Sequence, residues 1–236
     1  MELANLSKLN AARRQRKAVV QITELGHGSD QVFVEGEPAF EGVLGDAVSS
    51  ALRSGKSGVI EAEGRSFFLN VHLPPARIVV IGAVHISQTL ARMAELAGFD
   101  IRIIDPRTAF ATPERFEGVD LVADWPVDVL KDHPLDAYTA LVAVTHDPKI
   151  DDFPIAEALR TGCFYIGALG SKKTHAKRVE RLLAEGITEA ELVSIHAPIG
   201  LPIGASSPAE IAVAILAQII QALRTRDVST TKAILS

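Results

Sequence analysis

Three stretches of this sequence leave a folded chain little choice. RIVVIGA (77–83), YTALVAV (138–144) and CFYIGAL (163–169) are apolar at nearly every position. A strand with water on one face alternates apolar and polar side chains, whereas a strand without that alternation is covered on both faces. FDIRIID (99–105) and VDLVAD (119–124) read as two further strands. Between the strands lie helical segments: ISQTLARMAELAG (86–98), PVDVLKD (126–132), IAEALRT (155–161) and SKKTHAKRVERLLAEG (171–186). Apolar strands alternating with helices predict an α/β domain, a Rossmann-like doubly wound parallel sheet.

The preceding residues follow another pattern. AVVQITE (18–24) and QVFVEG (31–36) are strand-like around a glycine-rich turn, and residues 39–55 read as a helix ending at Gly55. GVIEAEG and RSFFLNVHL predict a hairpin turning at Glu63-Gly64, and residues 1–17 a loose helix or tail. This is a small α+β domain over 1–75, joined through LPPAR (73–77) to the Rossmann-like domain over 76–228, with a tail at 229–236. Two consecutive prolines cannot continue a strand ladder. In the last helix Ser207 reads as the N-cap, Pro208 as the first helical residue and Glu210 as the partner of a capping box. Residues 211–222 are apolar on nearly every side, which suits a core helix or a contact between subunits, and a homodimer is expected.

Net charge is −5, so the molecule has no general attraction to nucleic acid or to acidic membranes. Cys163 is the only cysteine, which excludes an internal disulfide and a cysteine-rich zinc site. The first residues contain no apolar leader segment, and IAVAILAQII is too short to span a bilayer. A cytoplasmic location is expected.

In open parallel sheets ligands bind beyond the carboxyl ends of the strands, and the polar clusters of this sequence fall at such ends. Gly82 and His85 follow the first strand of the sheet, Asp105 and Arg107 the second, and Thr145, His146 and Asp147 the fourth. Gly167, Gly170, Ser171 and Lys172 lie at the end of the fifth, and His196, Gly200 and Gly204 lie further on. Asp105 stands 23 residues after Gly82, where dinucleotide folds place an acid for the ribose hydroxyl. Val84 occupies the position of the second glycine of a phosphate turn and weakens a dinucleotide reading. The Gly167–Lys172 turn is the better phosphate candidate: two glycines allow close approach, Ser171 caps a helix, and Lys172 and Lys173 add charge at its N-terminus. On that reading Gly170→Val costs binding and leaves the domain folded. Lys177, Arg178 and Arg181 read as a solvated face, and Cys163 as a small buried residue. The histidines lack the spacing of a metal motif, and no nucleophile elbow or catalytic carboxylate pair is recognisable.

The strings IGAVHIS, IIDPRTAFATPERF, VTHDPKIDD, FYIGALGSKKTHAKRVERL and IHAPIGLPIGASSPAEIAVAILAQII closely resemble the XdhC/CoxI family, over roughly residues 75–225. The resemblance implies an accessory role in the maturation of xanthine dehydrogenase or a related molybdenum hydroxylase, rather than a turnover reaction. It implies binding of the molybdenum cofactor (molybdopterin), a pterin with a phosphate tail and a dithiolene-held metal, and its transfer to the apo-hydroxylase. Two features depart from the family: Gly-Ala-Val-His replaces the usual Gly-Ala-Gly-His, and the N-terminal cysteine motifs are missing. The alternatives are an NAD(P)-dependent oxidoreductase and a ligand-free module that docks a component of a hydroxylase.

Overall fold

A computed structural model of the chain describes residues 2–26 and 28–225. The expected tail at 229–236 lies outside the described residues. The chain divides into two compact units, one through Pro74 and one from Pro75.

In the first unit β1 (Val19–Glu24), β2 (Asp30–Val34), β3 (Gly58–Ala62) and β4 (Arg65–His72) form an antiparallel sheet in the order β2-β1-β4-β3. The β3–β4 hairpin turns through Glu63 and Gly64, both at positive φ, the backbone that matches the twist of its strands. Alternate residues serve opposite faces. Val20, Ile22 and Phe33 pack against Val48 and Ala51 of α2 (Gly42–Ser54). Val19, Val32 and Val34 meet Leu9 and Ala12 of α1 (Leu3–Arg14), so the basic N-terminal segment is a docked helix.

The second unit holds β5 (Arg77–Ile81), β6 (Asp100–Ile104), β7 (Asp120–Val122), β8 (Thr139–Ala143), β9 (Tyr165–Ala168) and β10 (Ile195–His196) in the order β10-β9-β8-β5-β6-β7. Every pairing is parallel. This is the doubly wound Rossmann order, with its reversal between β5 and β8. The sheet has a sixth strand where the sequence showed five: two residues of β10 are too few to carry a periodic signal.

Val79, Ile81, Leu141, Ala143 and Ile166 point to one face, covered by α4 (Pro126–Asp132), α5 (Pro148–Arg160) and α6 (Lys172–Ala184). Ile78, Val80, Ala140, Val142 and Tyr165 point to the other, covered by α3 (His85–Leu96) and α8 (Pro208–Thr225). The short α7 (Glu189–Leu192) opens with a capping box between Thr188 and Glu191. The box expected at α8 is present: Glu210 accepts from the Ser206 and Ser207 N–H groups at 2.8 and 2.9 Å, which with the hydroxyl contacts lowers its carboxyl to about 2. One side of α8 is core, through Ala212, Ile215 and Ile219, while Val213 stays 47% exposed and Ile220 37%.

Leu141 is fully buried at the centre of this sheet. Leu141→Ala removes its contacts and leaves a cavity, at a cost of about 3 kcal/mol. A urea titration followed by circular dichroism is expected to show a lower midpoint with an unchanged slope.

Candidate functional site

The crevice between β5 and β8 opens at their carboxyl ends, where the strand order reverses. The structure gathers the sequence candidates along this edge. Gly82 and His85 leave β5, Asp105 and Arg107 leave β6, and Thr145, His146 and Asp147 leave β8. Gly167 lies in β9, directly beside His196 of β10, with Gly170, Ser171 and Lys172 just beyond. Gly200 and the exposed Gly204 lie on the segment leading to α8.

Much of the glycine requirement comes from the chain itself. A Cβ on Gly82 would stand 2.9 Å from Thr145 Cγ2, so the glycine lets the ends of β5 and β8 close together. On Gly167 it would fall 2.5 Å from Ile199 Cδ1, and on Gly200 3.0 Å from Ala214 Cβ. Gly170 has φ +136 and a Cβ there would lie 3.0 Å from Thr174 Cγ2. Gly170→Val therefore strains the turn, and the expectation that it affects binding alone is corrected. Val84 has φ −104 and ψ 176, an extended backbone open to any residue, and its side chain packs on the α3–α8 core.

Asp105 ties the loops together. It is fully buried, with Oδ2 accepting from the Ala83 N–H at 2.7 Å and Oδ1 from the Arg107 N–H at 2.9 Å. The Arg107 guanidinium adds donations from Nε at 2.9 Å and Nη2 at 2.8 Å. Burial pushes the Asp105 carboxyl up, but these hydrogen bonds and the arginine charge prevail and hold it below the ordinary carboxylate range. Arg107 also lies in the field of Asp151 and Asp147, which links the β6 loop to the β8 loop, and its guanidinium sits 4.5 Å from the Phe110 ring centre. Arg115 was not singled out by its sequence context. It donates to the Ala83 carbonyl at 3.2 Å and the Phe110 carbonyl at 2.7 Å, strapping the first turn.

After β8 the sequence suggested a loop before a helix at residue 155. Instead α5 begins at Pro148, with Asp147 as its N-cap accepting from the Lys149 N–H at 3.0 Å. The polar run that reads as a strand-end loop is the first part of this helix; Asp-Pro at the N-cap and first helical position is the readable signal. The extra turn buries Asp151, which accepts from Thr145 Oγ1 at 2.7 Å and the His146 N–H at 3.1 Å. His146 holds φ +66, uncommon for a residue with a side chain, and is exposed.

Beyond β9, Ser171 caps α6 by accepting from the Thr174 N–H at 3.2 Å. Lys172 and Lys173 are exposed at the same end. The sequence placed Arg178 on a solvated face, but it is only 2% exposed, because it faces α5 rather than water. Arg181 forms a pair with Asp152, including Nη2 to Oδ1 at 3.1 Å. His196 stacks on Tyr165, ring centres 4.9 Å apart, and burial holds its imidazole below the usual value. Cys163 precedes β9 at the opposite edge of the sheet, and burial pushes its thiol up to about 12, which keeps it protonated.

Burial raises the Asp151 carboxyl from 3.8 to about 6, against the lowering pull of Thr145, Arg178 and His146. The folded state therefore holds more protons than the unfolded chain between those values, and this residue makes stability fall as pH rises from about 4 to about 6. Asp151→Asn keeps an acceptor but cannot ionise, and is expected to flatten that decline in urea midpoints measured across the window. An equally steep decline in the variant would assign the titration to other groups.

A family model described as the XdhC Rossmann domain matches residues 78–219, more than half of the chain. A Bacillus subtilis (strain 168) protein named as a probable subunit of xanthine dehydrogenase is 34% identical over 149 residues, 63% of this chain and 43% of the relative. The molybdenum cofactor insertion chaperone PaoD of Escherichia coli (strain K12) is 28% identical over 147 residues, covering 62% of this chain and 40% of PaoD. Another E. coli (strain K12) protein, YqeB, is 30% identical over 161 residues, 66% of this chain and 29% of YqeB. The chain thus matches less than half the length of each of these relatives. A crystal structure described as a xanthine dehydrogenase from Bacillus halodurans shares the fold, with a TM-score of 0.62 and 22% identity over 98% of this chain and 67% of that one. With the Rossmann strand order, the glycine-rich carboxyl edge and this domain match in agreement, the chain belongs to the XdhC family.

Proposed function

We propose that this protein is a cytoplasmic accessory factor that binds the molybdenum cofactor and assists its insertion into xanthine dehydrogenase or a related molybdenum hydroxylase. The observation that carries the reading is the XdhC Rossmann match over 78–219, in a chain whose relatives include one named as a molybdenum cofactor insertion chaperone.

The donor set at the carboxyl edge suits the anionic end of such a ligand. The Ser171-capped N-terminus of α6 offers unpaired N–H groups beside Lys172 and Lys173, and the N-terminus of α3 at His85 offers others. His146, Asp147 and His196 supply polar atoms for the edge of a pterin. When bound, the cofactor brings its own dithiolene for the metal. Among the described residues no group of three or more His, Cys, Asp or Glu is placed to hold a metal ion, so the protein's part would be to bind and shield the organic portion.

Against an NAD(P)-dependent reaction stands Asp105: fully buried, with both oxygens engaged by Ala83 and Arg107, it presents no free face to a ribose. One observation favours a docking role as well. Val213 and Ile220 are exposed apolar residues of α8, where part of a hydroxylase or a second copy would cover them. No helix among the described residues is long and apolar enough to cross a membrane.

The protein isolated from a molybdopterin-producing host, then oxidised, is expected to release a fluorescent pterin. Absence of pterin, together with normal hydroxylase activity in a deletion strain, would overturn the reading. A pull-down that yields a hydroxylase but never pterin would leave the docking role alone.

A further inference from the structure

The second turn of α6 carries a cation that the fold does not satisfy. Arg178 is 2% exposed. Its Nη2 donates to the Leu169 carbonyl at 3.1 Å, while Nε and Nη1 are buried with no hydrogen-bond partner. Buried guanidinium N–H groups without acceptors are strongly unfavourable. The nearest carboxylates are committed elsewhere: Asp151 to Thr145 and His146, Asp152 to Arg181. Their charges favour the arginine cation, but burial outweighs them.

Arg178 forms part of the wall of a cavity of about 200 Å³, shared with His146, Lys173, Thr174, Lys177 and Arg181. Among the described residues no carboxylate lines it. Lys173, Lys177 and Arg181 recur every four residues and so form one stripe along α6, an arrangement of like charges that weakens a helix. Lys173 and Lys177 are exposed on this wall, Arg181 is paired with Asp152, and Arg178 holds two unmet donors beneath its surface; such a set is the complement of a small, compact anion with several acceptor oxygens.

We propose that this cavity binds the phosphate group of an anionic ligand, with Arg178 in its wall and Lys173 and Lys177 beside it. The site lies one turn further along α6 than the Gly170–Lys172 turn, and adjoins the carboxyl edge at His146. It does not depend on the ligand being a pterin, since any phosphomonoester brings the same charged oxygens to these cations.

Calorimetric titration of the full chain with inorganic phosphate is expected to show binding that weakens as salt is added. The double variant Lys173→Ala/Lys177→Ala is expected to bind at least tenfold more weakly, with a melting temperature in phosphate-free buffer no lower than wild type. Arg178→Met is expected to lose the phosphate-dependent rise in melting temperature; should it not fold, the double lysine variant decides. Glycerol 3-phosphate forms a second arm. Binding as tight as phosphate or tighter assigns an organic ester, and exclusion assigns the free ion. No heat and no melting shift at tens of millimolar phosphate, or equal affinity in the double lysine variant, overturns the proposal. Phosphate binding by a protein that yields no pterin, with normal hydroxylase activity in a deletion strain, would sink the cofactor reading alone; pterin found in the isolated protein, with no phosphate binding once that pterin has been removed, would sink this site alone.

Discussion

The Asp105 carboxylate holds the first turn and the β6 loop in one place. It takes the Ala83 N–H with one oxygen and the Arg107 N–H with the other, and the Arg107 side chain bridges both. Because the group is buried, removing either partner would leave charge without compensation in a poorly screened interior. Arg107, positioned this way, lies within the field of Asp147 and Asp151 on the far side of the crevice. A single buried anion thereby fixes the geometry of an edge built from loops distant in sequence.

The α5–α6 side of the crevice is electrostatically the reverse. Asp151 is buried with its carboxyl raised to about 6, and Arg178 is buried with donors unmet. Neither arrangement maximises the stability of the fold. Such conflicts between local satisfaction and the fold gather at places where a ligand completes the structure. The proposed phosphate site rests on the unmet donors of Arg178 in a cationic wall, and the proposed cofactor role on family membership; the two meet at His146.

Legibility of the sequence differed by element. The apolar strands, the α8 capping box and the Glu63-Gly64 hairpin were readable because each is set by neighbours within a few residues. The start of α5 was missed because the polar run after β8 reads as a strand-end loop, although Asp147-Pro148 carries the start signal. The two-residue strand β10 was missed because its existence depends on β9 lying beside it. Arg178 was misread because a basic run looks solvated until a second helix packs over it.

By itself, the sequence determined the doubly wound class, the family and the gathering of polar residues at strand ends, since apolar periodicity and turn chemistry are local. Only the tertiary structure decided which of those groups keep free valence. Gly167 and Gly200 are required by packing against Ile199 and Ala214, Asp105 is engaged by its own chain, and Arg178 is buried but under-bonded. Burial and hydrogen-bond partnership arise between segments far apart along the chain, and no local pattern encodes them.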